Sequence, residues 1–397
     1  MRNQYYQYIQ SRLISGRGSI AFITTLGRKR AAIIYDGRVL DDIGKQKLEK
    51  LLTESGCEAR FAADIRNEPF VSDILDVSNE VSAFAPDLIL AIGGGSVLDT
   101  AKAVWLFYEH PDLSLEAAFQ PFCLPETGKK AVLAAIPTTS GTGSETTCCA
   151  VFTNQQTSHK QLMLDNNIIP TYAILDADFT DTMPDQIAAN TGLDALTHAI
   201  EAAICTASSP LVVSLALTAA QDLLENLPAS VTALSGSEEK ALARELCHYS
   251  ATLAGAAINN SSAGLVHALD QIGPFFNLPH GLVCGILLPY SVIINAPQTA
   301  YIKLGKRLGC IGTADVICRQ LIEHLFMLNK QVGIPRSFAE TGINEEEYMS
   351  KLDDILIGLE DSMSASLSPR RVHKEEAKEL LKAAYHGTGY FPAPAHS

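Results

Sequence analysis

No stretch of this 397-residue chain stays apolar for the roughly 18 residues that a membrane-spanning helix needs, so a protein that works in water is expected. Basic residues are scarce: 30 Lys and Arg stand against 44 Asp and Glu, a formal net charge of −14. Without a basic stripe to track phosphates, neither nucleic acid nor an anionic membrane is expected as a partner. The opening residues, MRNQYYQYIQSRL, have neither the positive start nor the apolar stretch of a secretory leader, and nothing in them directs export. Cysteine occurs nine times, an odd number, with Cys148 and Cys149 adjacent and no CxxC spacing. That usage resembles neither a zinc ribbon nor a disulfide framework, and fits reduced thiols in a cytoplasm.

What is present is an ordinary globular composition, with 47% apolar and 19% charged residues, which can fold without a partner. The length suggests two or three domains, and a small molecule is the default ligand. Short apolar, β-rich runs alternate with helical stretches in the first half. Ala31 to Tyr35, Leu88 to Ile92, Val132 to Ile136 and Tyr172 to Leu175 read as strands of a parallel α/β sheet. Beyond Pro184, Ala- and Leu-rich segments such as Pro210 to Leu227 and Glu238 to Ile258 recur at helical spacing, and an all-α second domain is expected. Asp181, Thr182 and Pro184 supply the turn and cap chemistry for a boundary near Met183, giving domains 1–182 and 183–397. The tail HGTGYFPAPAHS, rich in Gly and Pro, reads as extended or poorly ordered.

In LILAIGGGSVLDTAKAVW, residues 88–105, an apolar strand runs into Gly93, Gly94 and Gly95 and then into a helix. Such glycines let backbone approach a pyrophosphate, and the amides at the helix start favour negative charge. The same glycines also suit a tight turn with no ligand, and the motif is not GxGxxG. A second loop, in AAIPTTSGTGSE at 134–145, leaves another strand with a run of hydroxyl side chains. It can ring a ribose or phosphate at the carboxyl end of a parallel sheet, or serve only as a surface turn. Asp36 follows the strand ending at Tyr35, where a carboxylate accepts from a ribose 2′-hydroxyl and repels a 2′-phosphate; that reading predicts NAD over NADP. An Asp-Gly turn is the plainer alternative.

TGLDALTHAIEA puts Asp194 and His198 four residues apart, on one face of an apolar helix. GLVHALDQIGPFFNLPHG adds His267 within a helical stretch and His280 in a Gly-flanked loop. One carboxylate and three imidazoles suit Fe(II) or Zn(II), with room for a substrate oxygen.

With GGGSVLDTAK, PTTSGTGSE, TGLDALTHAIEA and LVHALDQIGPFFNLPHG in order along nearly its whole length, the sequence resembles the iron-containing alcohol dehydrogenase family, whose fold is related to dehydroquinate synthase. The resemblance implies a dinucleotide-binding α/β domain, an all-helical metal domain, and a cofactor lying between them. It implies that Asp194, His198, His267 and His280 hold one divalent ion, Fe(II) before Zn(II), and that Gly94, Gly95 and Ser96 hold the pyrophosphate of NAD(H). Asp99, Thr138, Thr139, Thr142 and Ser144 match positions that line the cofactor, Lys160 matches a lysine reaching its nicotinamide half, and Asp36 matches the residue associated with NAD preference. The implied reaction is hydride exchange with a small alcohol or aldehyde by a cytoplasmic homo-oligomer, a dimer by likeness. A metal- and NAD-dependent carbon–oxygen lyase or cyclase of the dehydroquinate synthase type is the alternative. One departure matters: Gln271 stands where many relatives carry a second histidine, and an amide cannot take up a proton. Water, a ribose hydroxyl or Asp270 would then carry any relay, and Gln271 would contact substrate or cap a helix.

Overall fold

The computed structural model describes residues 8–66, 71–153 and 160–389. The chain forms two compact units, Met1–Met183 and Pro184–Ser397. The expectations for the opening residues and for the tail beyond residue 389 fall outside the described residues. His386, where that tail was taken to begin, still ends a helix, and Gly387 closes it at φ 67° in the left-handed conformation that glycine adopts freely.

In the first unit the elements run β1 (Arg12–Ser15), a 3-10 helix (Ser19–Leu26), β2 (Arg30–Tyr35), α1 (Asp42–Glu54), β3 (Glu58–Asp64), α2 (Val71–Phe84), β4 (Leu88–Gly93), α3 (Gly95–Glu109), the short α4 (Leu115–Ala118), β5 (Val132–Pro137), β6 (Cys149–Thr153), β7 (Lys160–Leu164) and β8 (Tyr172–Leu175). Six strands form one parallel sheet in the order β1-β8-β5-β4-β2-β3, while β6 and β7 pair as a separate antiparallel ribbon. This is the expected parallel α/β sheet. Successive side chains of a strand point to opposite faces, and the sheet uses both. Ile33, Leu90, Ile92 and Ile136 pack on one side with Leu48 and Leu52 of α1, whereas Ile34, Ile89, Ala91 and Leu133 pack on the other with Val97, Ala101 and Trp105 of α3. Burial on both faces is why these strands read as continuous apolar runs.

The second unit is helical, as expected: α5 (Asp185–Ile204), α6 (Pro210–Thr232), α7 (Glu238–Asn259), α8 (Leu265–Leu269), α9 (Ile272–Phe276), α10 (His280–Asn295), α11 (Thr299–Arg307), α12 (Ala314–Gln331), α13 (Glu345–Ile355), α14 (Met363–Ser366) and α15 (Lys374–His386). Alanines 188, 189, 195, 199 and 202 of α5 are buried, and α6, α7 and α10 pack against that helix. The start of α10 comes so near α5 that a Cβ at Gly281 would collide with the backbone carbonyl of Asn190. Only glycine permits that approach, which sets His280 beside the Asp194 face of α5. No helix among the described residues is long and apolar enough to cross a membrane.

Candidate functional site

The first unit supplies a cradle at the carboxyl ends of β4 and β5. Gly94 is the N-cap of α3 and gives no side-chain cap, leaving backbone amides of the first turn to be met otherwise. Gly94, Gly95 and Ser96 are half-buried there. The hydroxyl loop after β5 lies directly against them: a Cβ at Gly95 would stand 2.7 Å from Thr142 Cγ2, so the close contact of the two loops demands glycine. Thr139 and Thr142 are half-buried beside this turn, and the Thr138 hydroxyl is buried without a hydrogen-bond partner, a state that buried polar atoms rarely keep without a ligand or water.

Asp99 and Ser144 are turned to each other. Ser144 Oγ donates to Asp99 Oδ1 at 2.6 Å and the Val151 amide donates to Oδ2 at 2.9 Å. Burial pushes the Asp99 carboxyl up, opposed by the nearby Lys102 charge. Lys102 is itself fully buried and donates to the carbonyls of Thr147 and Cys149 at 2.8 and 2.7 Å. This polar network ties α3 to the loop between β5 and β6 and to β6 itself. Lys160 opens β7, where it pairs with Thr153. Asp36 follows β2, largely buried, and both its oxygens accept from Arg38, with Nη2 to Oδ2 at 2.7 Å. On the neighbouring strand Asp64 pairs with Arg66 in the same manner. Sequence reasoning missed both arginines, each of which pairs with the acid two residues before it, while the Gly37 amide donating to Asp64 joins the two strand ends.

The second unit concentrates a different chemistry. Asp194 and His198 leave one face of α5, and α8 and α10 bring His267 and His280 to them. Each imidazole presents Nε2 to Asp194 Oδ1, at 3.6 Å from His198, 3.6 Å from His267 and 3.2 Å from His280. All four sequence-expected residues therefore meet. Asp194 is 3% exposed. Burial works to raise its carboxyl, yet the neighbouring imidazoles of His198 and His280 hold it well below the usual range. Burial pushes the His198 imidazole down to about 4.

Two further carboxylates stand behind the imidazoles. Glu201, one turn beyond His198, accepts from the Gly264 amide at 2.7 Å, the Val266 amide at 2.6 Å and His267 Nδ1 at 2.6 Å. Asp270 Oδ2 lies 3.1 Å from His280 Nδ1. Sequence reasoning missed Glu201. Its available signal was an acidic residue seven places after Asp194 on the same face of an apolar helix.

The arrangement fits a divalent cation. His267 Nε2 is a buried nitrogen with no hydrogen-bond partner, aimed at Asp194. Nitrogen and oxygen donors about 2.1 Å from one tetrahedral ion sit about 3.4 Å apart, which the three separations bracket. Imidazoles backed by carboxylates are the usual support for such a centre. Gln271 takes the N-cap position of α9, where the chain breaks from α8, and its side chain makes no cap hydrogen bond.

The class these features define is that of enzymes combining a dinucleotide with a divalent ion. Comparison with known proteins narrows it. Residues 10–177 match the iron-containing alcohol dehydrogenase family, and residues 188–385 match the C-terminal part described for Fe-containing alcohol dehydrogenases. The chain belongs to the iron-containing alcohol dehydrogenase family. It is 36% identical over 378 residues to an NADPH-dependent butanol dehydrogenase of Clostridium saccharobutylicum, covering 94% of this chain and 96% of that protein. An alcohol dehydrogenase of Thermococcus barophilus is 34% identical over 390 residues, covering 95% and 98%. Among solved structures, the iron-containing alcohol dehydrogenase of Thermococcus thioreducens superposes with a TM-score of 0.86 at 32% identity, over 97% of this chain and all of that one. The enzyme is thus an oxidoreductase of the alcohol dehydrogenase type, and the lyase alternative is not favoured.

Proposed function

We propose that this enzyme interconverts a short-chain alcohol and its aldehyde using NAD(H) and one divalent ion, Fe(II) in preference to Zn(II), held by Asp194, His198, His267 and His280. The observation that carries the reading is the convergence of three imidazole Nε2 atoms on one buried carboxylate oxygen. The substrate class rests on the butanol dehydrogenase likeness. The chemistry supplied when both groups are bound is Lewis-acid polarisation of the substrate oxygen and hydride transfer at the nicotinamide.

The protein's own residues bind and orient. Glu201 and Asp270 turn Nδ1 of His267 and His280 away from the ion, leaving Nε2 for it. The uncapped amides after Gly94 and the hydroxyls of Thr138, Thr139 and Thr142 receive the pyrophosphate and ribose, while Asp99 and Ser144 hold the second loop in place. Lys160 serves the nicotinamide half. Gln271 acts as a hydrogen-bonding group toward substrate and takes no part in proton transfer, because an amide does not titrate. Asp36 selects NAD by accepting from the ribose 2′-hydroxyl. Its pairing with Arg38 makes the comparison with NADPH, the cofactor named for the Clostridium relative, an informative one. The domain division follows the same line, a dinucleotide domain at 1–182 and a metal domain at 183–397. A cytoplasmic homodimer completes the reading, the dimer by likeness to the family alone and the compartment in keeping with nine free cysteines.

Chelator-treated protein, reloaded anaerobically with Fe(II) or Zn(II), is expected to oxidise NADH with short aldehydes, and to do so with a lower KM than for NADPH. Binding of ion and NADH without turnover on any short aldehyde or alcohol would overturn the reading.

A further inference from the structure

Cys284 lies one helical turn beyond His280 on α10, and residues four apart share a helix face. Its thiol is fully buried, with Sγ 3.6 Å from His280 Nε2 and 4.0 Å from Asp194 Oδ1. One donor atom each from Asp194, His267, His280 and Cys284 lies within 4.8 Å of the others. These separations suit shared coordination. A sulfur about 2.3 Å and an imidazole nitrogen about 2.05 Å from one ion with five protein donors stand about 3.1–3.8 Å apart, a range that holds the 3.6 Å to His280. The 4.0 Å to Oδ1 does not suit a strong hydrogen bond, which the thiol would otherwise donate to the carboxylate.

We propose that Cys284 is a sulfur donor to the divalent ion, so that the substrate-free centre is a mixed carboxylate, imidazole and thiolate site. The proposal rests on the assignment of Asp194 and the three histidines as metal ligands. On coordination the S–H bond gives way to a sulfur–metal bond and the proton passes to solvent, as for any ligating thiol. A thiolate is a soft donor, and it biases the site toward zinc, cobalt and iron(II) over magnesium and manganese, which carboxylate and water suit better. A buried cysteine that merely fills space beside the ligands would contribute packing and nothing to the ion.

Cobalt(II) distinguishes these roles, because a cobalt–thiolate bond adds sulfur-to-metal charge-transfer absorption in the near ultraviolet to the visible ligand-field bands that any cobalt site shows. Full-length metal-free protein titrated with cobalt(II) to one equivalent is expected to show both. Cys284→Ser is expected to lose the charge-transfer band and keep the ligand-field bands, whereas Cys123→Ser, at an exposed thiol, keeps both. Ligand-field bands without a charge-transfer band in the unaltered protein would remove Cys284 from the coordination sphere and leave the carboxylate and imidazoles in place; this reading needs no variant to fold. A charge-transfer band that survives Cys284→Ser would also overturn the proposal. Failure of the protein to take up cobalt at all would overturn it together with the ligand assignment on which it rests.

Discussion

Glu201 decides which nitrogen of His267 faces Asp194. With Nδ1 turned to this carboxylate at 2.6 Å, Nε2 is the nitrogen left facing the proposed ion. The same carboxylate accepts from the Gly264 and Val266 amides at the start of α8, fixing the backbone on which His267 is mounted. Orientation and basicity of the imidazole thus come from one residue that touches neither ion nor substrate. Glu201→Ala is expected to weaken zinc binding about 10- to 100-fold, the usual cost of removing such a support, with a smaller loss in kcat for protein saturated with metal. Competition against a chromogenic chelator measures it. An unchanged affinity would show that packing alone orients the ring.

Helix α7 carries a buried imidazole apart from that cluster, with a different consequence. His248 is 1% exposed, and burial pushes it down to about 4 from an ordinary value near 6.5. The unfolded chain therefore takes up this proton as pH falls below about 6.5, while the folded chain holds out until about 4, so stability must decline across that window on acidification. The loss by pH 4 comes to about 3 kcal/mol. His248→Gln is expected to flatten this part of the acid limb in urea unfolding, and an acid limb identical to the parent's would refute the assignment. How far elements were legible follows from burial in the same way. β2, β4, β5 and β8 have apolar runs because they lie inside the sheet, but β3, with the sequence EARFAAD, borders it and remains partly exposed, so no such run marks it. β1 at the opposite edge was hidden for the same reason. The stretch around His267 read as one helix, whereas the chain breaks between α8 and α9 and turns out of α9 at Asn277, which adopts φ 50°. Asp194 and His198 were visible because their spacing is local to α5. Glu201 and Cys284 were not, because Glu201 meets His267 of α8, and Cys284 meets Asp194 of α5, only through tertiary packing.

Across the whole molecule, the two sets of site residues divide between the two units. Asp36, the glycine turn, the hydroxyl loop and Lys160 belong to Met1–Met183, and the Asp/His cluster with Glu201 belongs to Pro184–Ser397. A ligand that binds only the folded form stabilises what it binds by RT ln(1 + [L]/Kd), about 4 kcal/mol at a thousandfold excess over Kd. For a unit of this size, 1 kcal/mol moves the midpoint by about 2–4 °C, so saturating metal should raise the helical unit's transition by about 8–16 °C. NADH should raise the transition of the α/β unit and leave the other where it was. Scanning calorimetry of metal-free protein, with zinc and NADH added separately and then together, resolves the two shifts, and limited proteolysis with mass analysis assigns each transition to its unit. A single transition moved equally by either ligand would show that the two units unfold as one, and the stabilising free energies would then add on the same midpoint.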